Sequence, residues 1–143
     1  MSATKQLLIA IKARADGDTG AGGLFETGDP LITGWYSRLG PQEGTTLPYV
    51  VVYDIASTRD NVFETDKWSD EVLLQFTIYC DGTKDSAVDQ TIIDAVLTRF
   101  SRWAPTITSH SPNQLIFNGE NTITLDNNIR QTSLDFTCAV AKG

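Results

Sequence analysis

His110 is the single histidine of the 143-residue chain, so any Ser-His-Asp triad would have to be built around it, within Ser109-His110-Ser111. No Gly-x-Ser-x-Gly elbow is present to carry a nucleophile. A zinc site assembled from Cys80, Cys138 and His110 would lack both a fourth ligand and the paired local spacing that closes structural zinc sites. Two cysteines make no disulfide framework, and both are expected to be reduced, small core residues. Asp81, Asp85 and Asp89 recur at helical spacing along an expected helix and the turn before it. Such a row reads as a solvated face whose acids complement the helix N-terminal dipole.

Asp18-Thr19-Gly20-Ala21 matches the short signature of the retroviral-type aspartic proteases, in which two loops share one proton between two carboxylates. That chemistry needs an apolar strand to hold the loop rigid. Here Ala15-Asp16-Gly17 precedes it at a helix end, and no later apolar segment supplies the second scaffold, so a flexible Gly-rich loop is the better reading. The stretch also begins like a calcium loop, with Asp16, Asp18 and Gly20. Gly20, however, stands at the position-five ligand, Ala21 at the required glycine and Thr27 at the closing glutamate. No Gly-rich stretch ends in Gly-Lys-Ser/Thr or leads from a strand into a helix, which removes support for nucleotide binding. No catalytic residue, metal ligand or cofactor site is therefore expected.

Contact surfaces remain. Trp35, Tyr36, Trp68 and Trp103 are the aromatic anchors, and Trp35-Tyr36 and Trp68 lie outside obvious core periodicity, where exposed loop aromatics mark protein contacts. Burial under the loop is the competing reading. With Phe25 and Leu31, the residues Trp35, Tyr36 and Trp68 form a set of interface candidates. The chain carries 11 basic and 18 acidic residues, a net charge of −7. Between residues 54 and 71, Asp54, Asp60, Glu64, Asp66, Asp70 and Glu71 face only Arg59 and Lys67, which places −4 of the −7 there. This balance opposes wrapping a nucleic-acid backbone, which needs clustered Lys and Arg to displace counterions. Asp60, Glu64 and Asp66 become candidates for a lumen-facing or partner-facing surface, against the plain alternative of a loop kept soluble.

The elements that must position these residues follow from periodicity. Leu7, Leu8, Ile11 and Ala15 predict an amphipathic helix over 3–15, stopped by Asp16-Gly17. From Gly17 to Leu47 no period holds, and eight glycines with Pro30 and Pro41 predict a loop of about thirty residues, a length uncommon unless functional or pinned by a partner. Residues 17–46 are accordingly expected in subunit contacts. Tyr49-Val50-Val51-Val52-Tyr53 reads as a strand buried on both faces. A second strand over 67–80 alternates Val72, Leu74, Phe76, Ile78 and Cys80 with Leu73, Gln75, Thr77 and Tyr79. Asp85 or Ser86 can cap a helix running to about Trp103, whose Val88, Ile92, Val96 and Phe100 are expected to pack on that strand, leaving Asp89 dispensable. Asn118-Gly119 between apolar runs predicts a hairpin over 113–125, and Asp126-Asn127-Asn128 turns into a last strand with Leu134, Phe136, Cys138 and Val140 on its buried face.

These elements describe one α+β domain over 1–143, a mainly antiparallel sheet packed against two helices with a long N-terminal Gly-rich loop. No apolar run is long enough to span a membrane, and Lys5, Lys12 and Arg14 interrupt the N-terminal segment, so neither a membrane span nor a signal peptide is expected. The order of elements resembles the tail terminator, or tail-completion and head–tail joining, proteins of long-tailed bacteriophages. The resembling parts are the N-terminal helix, Leu47-Pro48-Tyr49-Val50-Val51-Val52, Leu74-Gln75-Phe76-Thr77-Ile78-Tyr79-Cys80, Ile92-Ile93-Asp94-Ala95-Val96-Leu97 and Ser133-Leu134-Asp135-Phe136-Thr137, while the loop from Gly17 to Thr46 is longer than usual there. The resemblance implies a structural, non-enzymatic subunit made in the host cytoplasm and placed in the virion tail or neck. It implies a homo-oligomer, a hexameric ring, whose partners are the tail tube protein and a head connector or stopper protein, with DNA passing through without specific binding. Another head–tail connector of related fold is the alternative, and a small α+β enzyme or ligand-binding domain is the reading from a different class.

Overall fold

Val72, Leu74, Phe76, Ile78 and Cys80 are all buried, as strict alternation on a sheet with one covered face requires. In the computed structural model they belong to β3 of the series α1 (Ala3–Asp16), β1 (Trp35–Ser37), β2 (Tyr49–Asn61), β3 (Trp68–Asp81), α2 (Ser86–Phe100), β4 (His110–Pro112), β5 (Ile116–Thr124) and β6 (Ile129–Lys142). The structure describes residues 3–37, 46–61, 68–107, 110–125 and 127–142, without the side chains of 3, 57–61, 68–70, 110 and 142. The sheet runs β1-β2-β3-β6, and β6 carries β5 and then β4 along its far edge. Only the β1–β2 pair is parallel; every other pairing is antiparallel. The fold is thus α+β, with both helices on one face of the sheet.

Leu7, Leu8, Ile11 and Ala15 bury the inner side of α1, and Ile92, Ile93, Val96 and Phe100 that of α2. α1 lies over β1 and β2, and α2 over β3. Between helices and sheet an aromatic stack fills the centre. Trp35 stacks on Phe100 at 5.2 Å between ring centroids and meets Phe76 edge-on at 5.6 Å, while Phe76 reaches Phe136 at 4.7 Å. Such pairs add about 0.5–1.5 kcal/mol each beyond the area they bury. The Asp85 carboxylate accepts the Ala87 amide at 2.9 Å and so caps α2. Cys80 and Cys138 are free thiols in the core, as expected.

Four expectations change. The loop after α1 contains β1, because residues 35–37 pair in parallel with Val50–Val52. α2 ends at Phe100 rather than near Trp103: Arg102 adopts a left-handed φ of 63° and its amide turns to the Leu115 carbonyl at 2.8 Å. Asn118-Gly119 makes no hairpin. It sits at a bulge, where the register passes from Phe117 opposite Phe136 to Gly119 opposite Asp135, because the long β6 offers 116–124 a continuous partner that outweighs the local turn preference. The true hairpin joins β5 to β6, with Asn128 at φ 59°. Finally, Val88 is 45% exposed and Asp89 takes its place inside.

Removing a large core side chain leaves a cavity the neighbours cannot fill, so Phe76→Ala should lower stability by about 3–5 kcal/mol, and Val88→Ala by under about 0.5 kcal/mol. Urea unfolding of the two variants checks this. Burial pushes the Cys80 thiol up to about 12, with the Asp89 carboxylate adding to the shift, and burial pushes Cys138 up to about 11. Because both folded-state values lie above the ordinary 9.0, the contribution is complete below about pH 9 and is lost as pH rises through 11–12. A thiol reagent at pH 8 should label neither cysteine until the chain is unfolded, and stability should decline above pH 9.

Candidate assembly surface

Asp18, the centre of the protease-like and calcium-like motifs, is 9% exposed and is spent on the chain's own architecture. Its carboxylate accepts the Leu24 amide at 2.9 Å through one oxygen and meets Arg99 Nε of α2 at 2.7 Å through the other. Arg14 of α1 donates in turn to the Arg99 carbonyl at 2.6 Å and lies 4.8 Å over the Trp103 ring. Gly23 is required beside this carboxylate, because a side chain there would come within 2.5 Å of the Asp18 carbonyl oxygen. The described part of the Gly-rich loop is therefore folded on its own chain: Phe25 N bonds Asp18 O, Leu31 N bonds Leu24 O and Thr33 N bonds Pro48 O.

The expected row of solvated aspartates divides. Asp81 is half-buried and accepts Thr83 Oγ1 at 2.6 Å and Thr83 N at 2.9 Å, bonds that hold its carboxyl below the usual range. Asp85 is the exposed cap of α2. Asp89, 6% exposed, is bidentate to Arg130 at 2.8 and 3.0 Å. The sequence offered no signal for this pair, since Asp89 and Arg130 are 41 positions apart.

The face of the sheet opposite the helices carries the chain's distinctive surface. Alternation puts Tyr36, Tyr49, Tyr53 and Tyr79 there, and these are all 4 tyrosines of the protein. Tyr49 stacks on Tyr79 at 5.0 Å, meets Tyr36 edge-on at 6.1 Å, and Tyr53 hydrogen-bonds Tyr79. Desolvation raises the Tyr49 and Tyr79 hydroxyls above their ordinary value, so these two stay protonated donors in neutral solution. The same face exposes Leu73 at 37%, Ile116 at 48% and Ile123 at 45%. Half-buried tyrosines beside exposed aliphatic side chains have the composition of protein contact surfaces.

Of the interface candidates, Trp35 is a correction: at 2% exposure it belongs to the core, because β1 threads it between Phe76 and Phe100. Phe25 and Leu31 are half-buried against that core, and Tyr36 lies in the tyrosine cluster. Trp68 opens β3 opposite Asn61, with its side chain outside the described residues. On either side of residues 62–67, which lie outside the described residues, the acidic stretch is strand rather than the loop expected, since β2 and β3 pair as far as Asn61 and Trp68. Asp60 is a β2 residue opposite Ser69 whose side chain lies outside the described residues, as do Glu64 and Asp66 entirely. Among the described residues no group of His, Cys, Asp and Glu could hold a metal, and no helix is long and apolar enough to cross a membrane.

No protein-family model and no curated protein matches the sequence. A chain in a solved structure described as the virion of a native gene transfer agent particle is similar in fold, with a TM-score of 0.72 over 98% of each chain and 15% sequence identity.

Asp89→Ala would strand the Arg130 guanidinium, whose side chain is only 17% exposed, and should cost about 3–5 kcal/mol, far from the neutrality expected of a surface acid. Asp18→Asn should cost about 1–3 kcal/mol and speed hydrogen exchange at the Leu24 amide selectively. Wild-type exchange at Leu24 in that variant would show that the carboxylate does not hold the loop.

Proposed function

We propose that this chain is a structural, non-enzymatic protein of a phage-like virion that forms a ring at the head-proximal end of the tail tube, stops tube polymerisation there and joins the tail to the head connector. The observation that carries the reading is the likeness in fold to a gene transfer agent virion chain over 98% of both chains. The sequence resemblance to tail terminator proteins supports it from a separate direction. The mechanism is interface formation: a head-to-tail contact between identical subunits makes a ring when its rotation closes, and the tyrosine face offers a contact surface for a tube or connector protein. Its place is the tail or neck of the virion.

The acids of the β2–β3 arm fit this setting. Asp60 of β2, with Glu64 and Asp66 of the same acidic stretch of the sequence, would give a channel wall that repels phosphates within a Debye length, about 8 Å at physiological salt. DNA then passes without being held.

Light scattering should give a particle of about 94 kDa, six times 15.7 kDa, alone or after addition of tube protein, and the pure chain should cap growing tubes at fixed length. A monomer that leaves tube growth unchanged overturns the terminator role. Changing Asp60, Glu64 and Asp66 together to Lys should leave assembly intact and slow DNA delivery; failure to join heads would assign the acids to a partner interface, and full infectivity would remove them from function.

A further inference from the structure

The helix layer covers the sheet unevenly. α1 lies over β1 and β2, α2 over β3, and the Asp89–Arg130 pair ties α2 to β6. Beyond α2, above β5, no described element covers the sheet. A trough of about 410 Å³ remains there, lined by Asp85, Gln90 and Ile93 of α2, Glu120 and Thr122 of β5 and Thr132 of β6, among others. Glu120 and Thr122 are exposed although they stand opposite the buried Leu134 and Thr132, on the same side of the sheet as the helices.

At the other end of the layer stands the complementary surface. α1 exposes Lys5, Ile9 and Lys12, which recur at i, i+4 and i+7 on one side of a helix. Ile9 is 53% exposed, and Lys5, Lys12 and Arg14 outnumber Asp16, giving α1 the largest excess of base among the described elements in a chain of net charge −7. Arg14 turns to Trp103, and Lys12 is shared with Asp16 at 3.2 Å and the Trp35 carbonyl at 3.0 Å within its own protomer. The trough's exposed charges, Asp85 and Glu120, are both acidic, and its own cation, Arg130, is taken up by Asp89.

We infer that α1 of one protomer docks in the trough beside α2 of the next, with Ile9 over Thr122 and Ile93 and the lysines toward Glu120 and Asp85. The occupant is a second copy of this chain, argued from charge complementarity between two surfaces at opposite ends of one helix layer. A neighbour displaced sideways continues the layer as α1-α2-α1-α2, and such a contact uses different patches on the two partners, as a ring requires. The inference rests on the ring reading above and names its contact.

Cysteine cross-linking of the full chain tests it, because Cys80 and Cys138 are buried and do not compete. Ile9→Cys and Thr122→Cys in one chain should give, on oxidation, a ladder of covalent species ending at the closed ring, and neither variant alone should cross-link. Lys5→Glu and Glu120→Lys should each weaken assembly about tenfold or more, and the double exchange should restore it, since the contact is read through charge. A ring of the expected mass that yields no ladder overturns this contact and leaves the ring reading standing. Dimers from Ile9→Cys alone would show a two-fold contact instead, and a chain monomeric both alone and with tube protein would overturn both.

Discussion

The carboxylate of Asp18 holds three parts of the chain at one point: the loop through the Leu24 amide, α2 through Arg99, and α1 through the Arg99 carbonyl that accepts Arg14. Without it, a stretch with glycines at 17, 20, 22, 23, 28 and 34 would lose more conformational entropy on ordering than its few apolar side chains return. With it, Leu24 and Ile32 reach the core at 0% and 1% exposure, and the chain arrives beside β2 in register to pair Trp35 with Val50. The Trp35 ring then completes the stack with Phe76 and Phe100, which α2 and β3 could not fill alone.

The second organising feature is β6. Its 14 residues pair along one edge with β3 from Ser69 to Asp81 and along the other with β5 and β4 in succession. A strand with so many partners fixes register by itself, since a slip of one residue would turn Leu134, Phe136, Cys138 and Val140 out of the core. It also absorbs the Asn118-Gly119 signal as a bulge. The β2–β3 ladder is paired as far as Asn61 and Trp68, so strand pairing carries the backbone into the acid-rich stretch.

Much of the architecture was legible in the sequence because strict periodicity survives tertiary context. The alternation of Val72 to Cys80 and of Leu134 to Val140, the helical spacing of Leu7, Leu8, Ile11 and Ala15, and the cap at Asp85 all read directly. What could not be read were features defined by distant partners. β1 has only 3 residues and exists because β2 presents an edge. Asp89 looks like its neighbours Asp85 and Asp94 until Arg130 arrives from β6. Asp18 sits in a motif with two chemical precedents, and only the Arg99 guanidinium shows that the carboxylate is structural. The tyrosine face was invisible for another reason: its four members come from β1, β2 and β3, and only the strand order puts them together.

Net charge works against any assembly of identical copies, since each added subunit brings the same −7 into the field of the others. Favourable contact must therefore come from apolar surface and from unequal placement of the charges. The chain has both. Among the described residues the exposed large aliphatic side chains are Ile9 on α1, Val88 on α2, Ile55 on β2, and Leu73, Ile116 and Ile123 on the open face of the sheet. α1 carries Lys5, Lys12 and Arg14 against Asp16, whereas residues 54–71 carry six acids against Arg59 and Lys67. Copies meeting like surface to like surface would bring base against base or acid against acid. In the head-to-tail contact inferred above, α1 would meet acid, and the repulsion that remains would act over longer distances, where salt screens it beyond about 8 Å. In the ring proposed above, this distribution of charge would favour a cyclic arrangement over a two-fold one and leave the open sheet face, with its tyrosines, for a partner of a different kind.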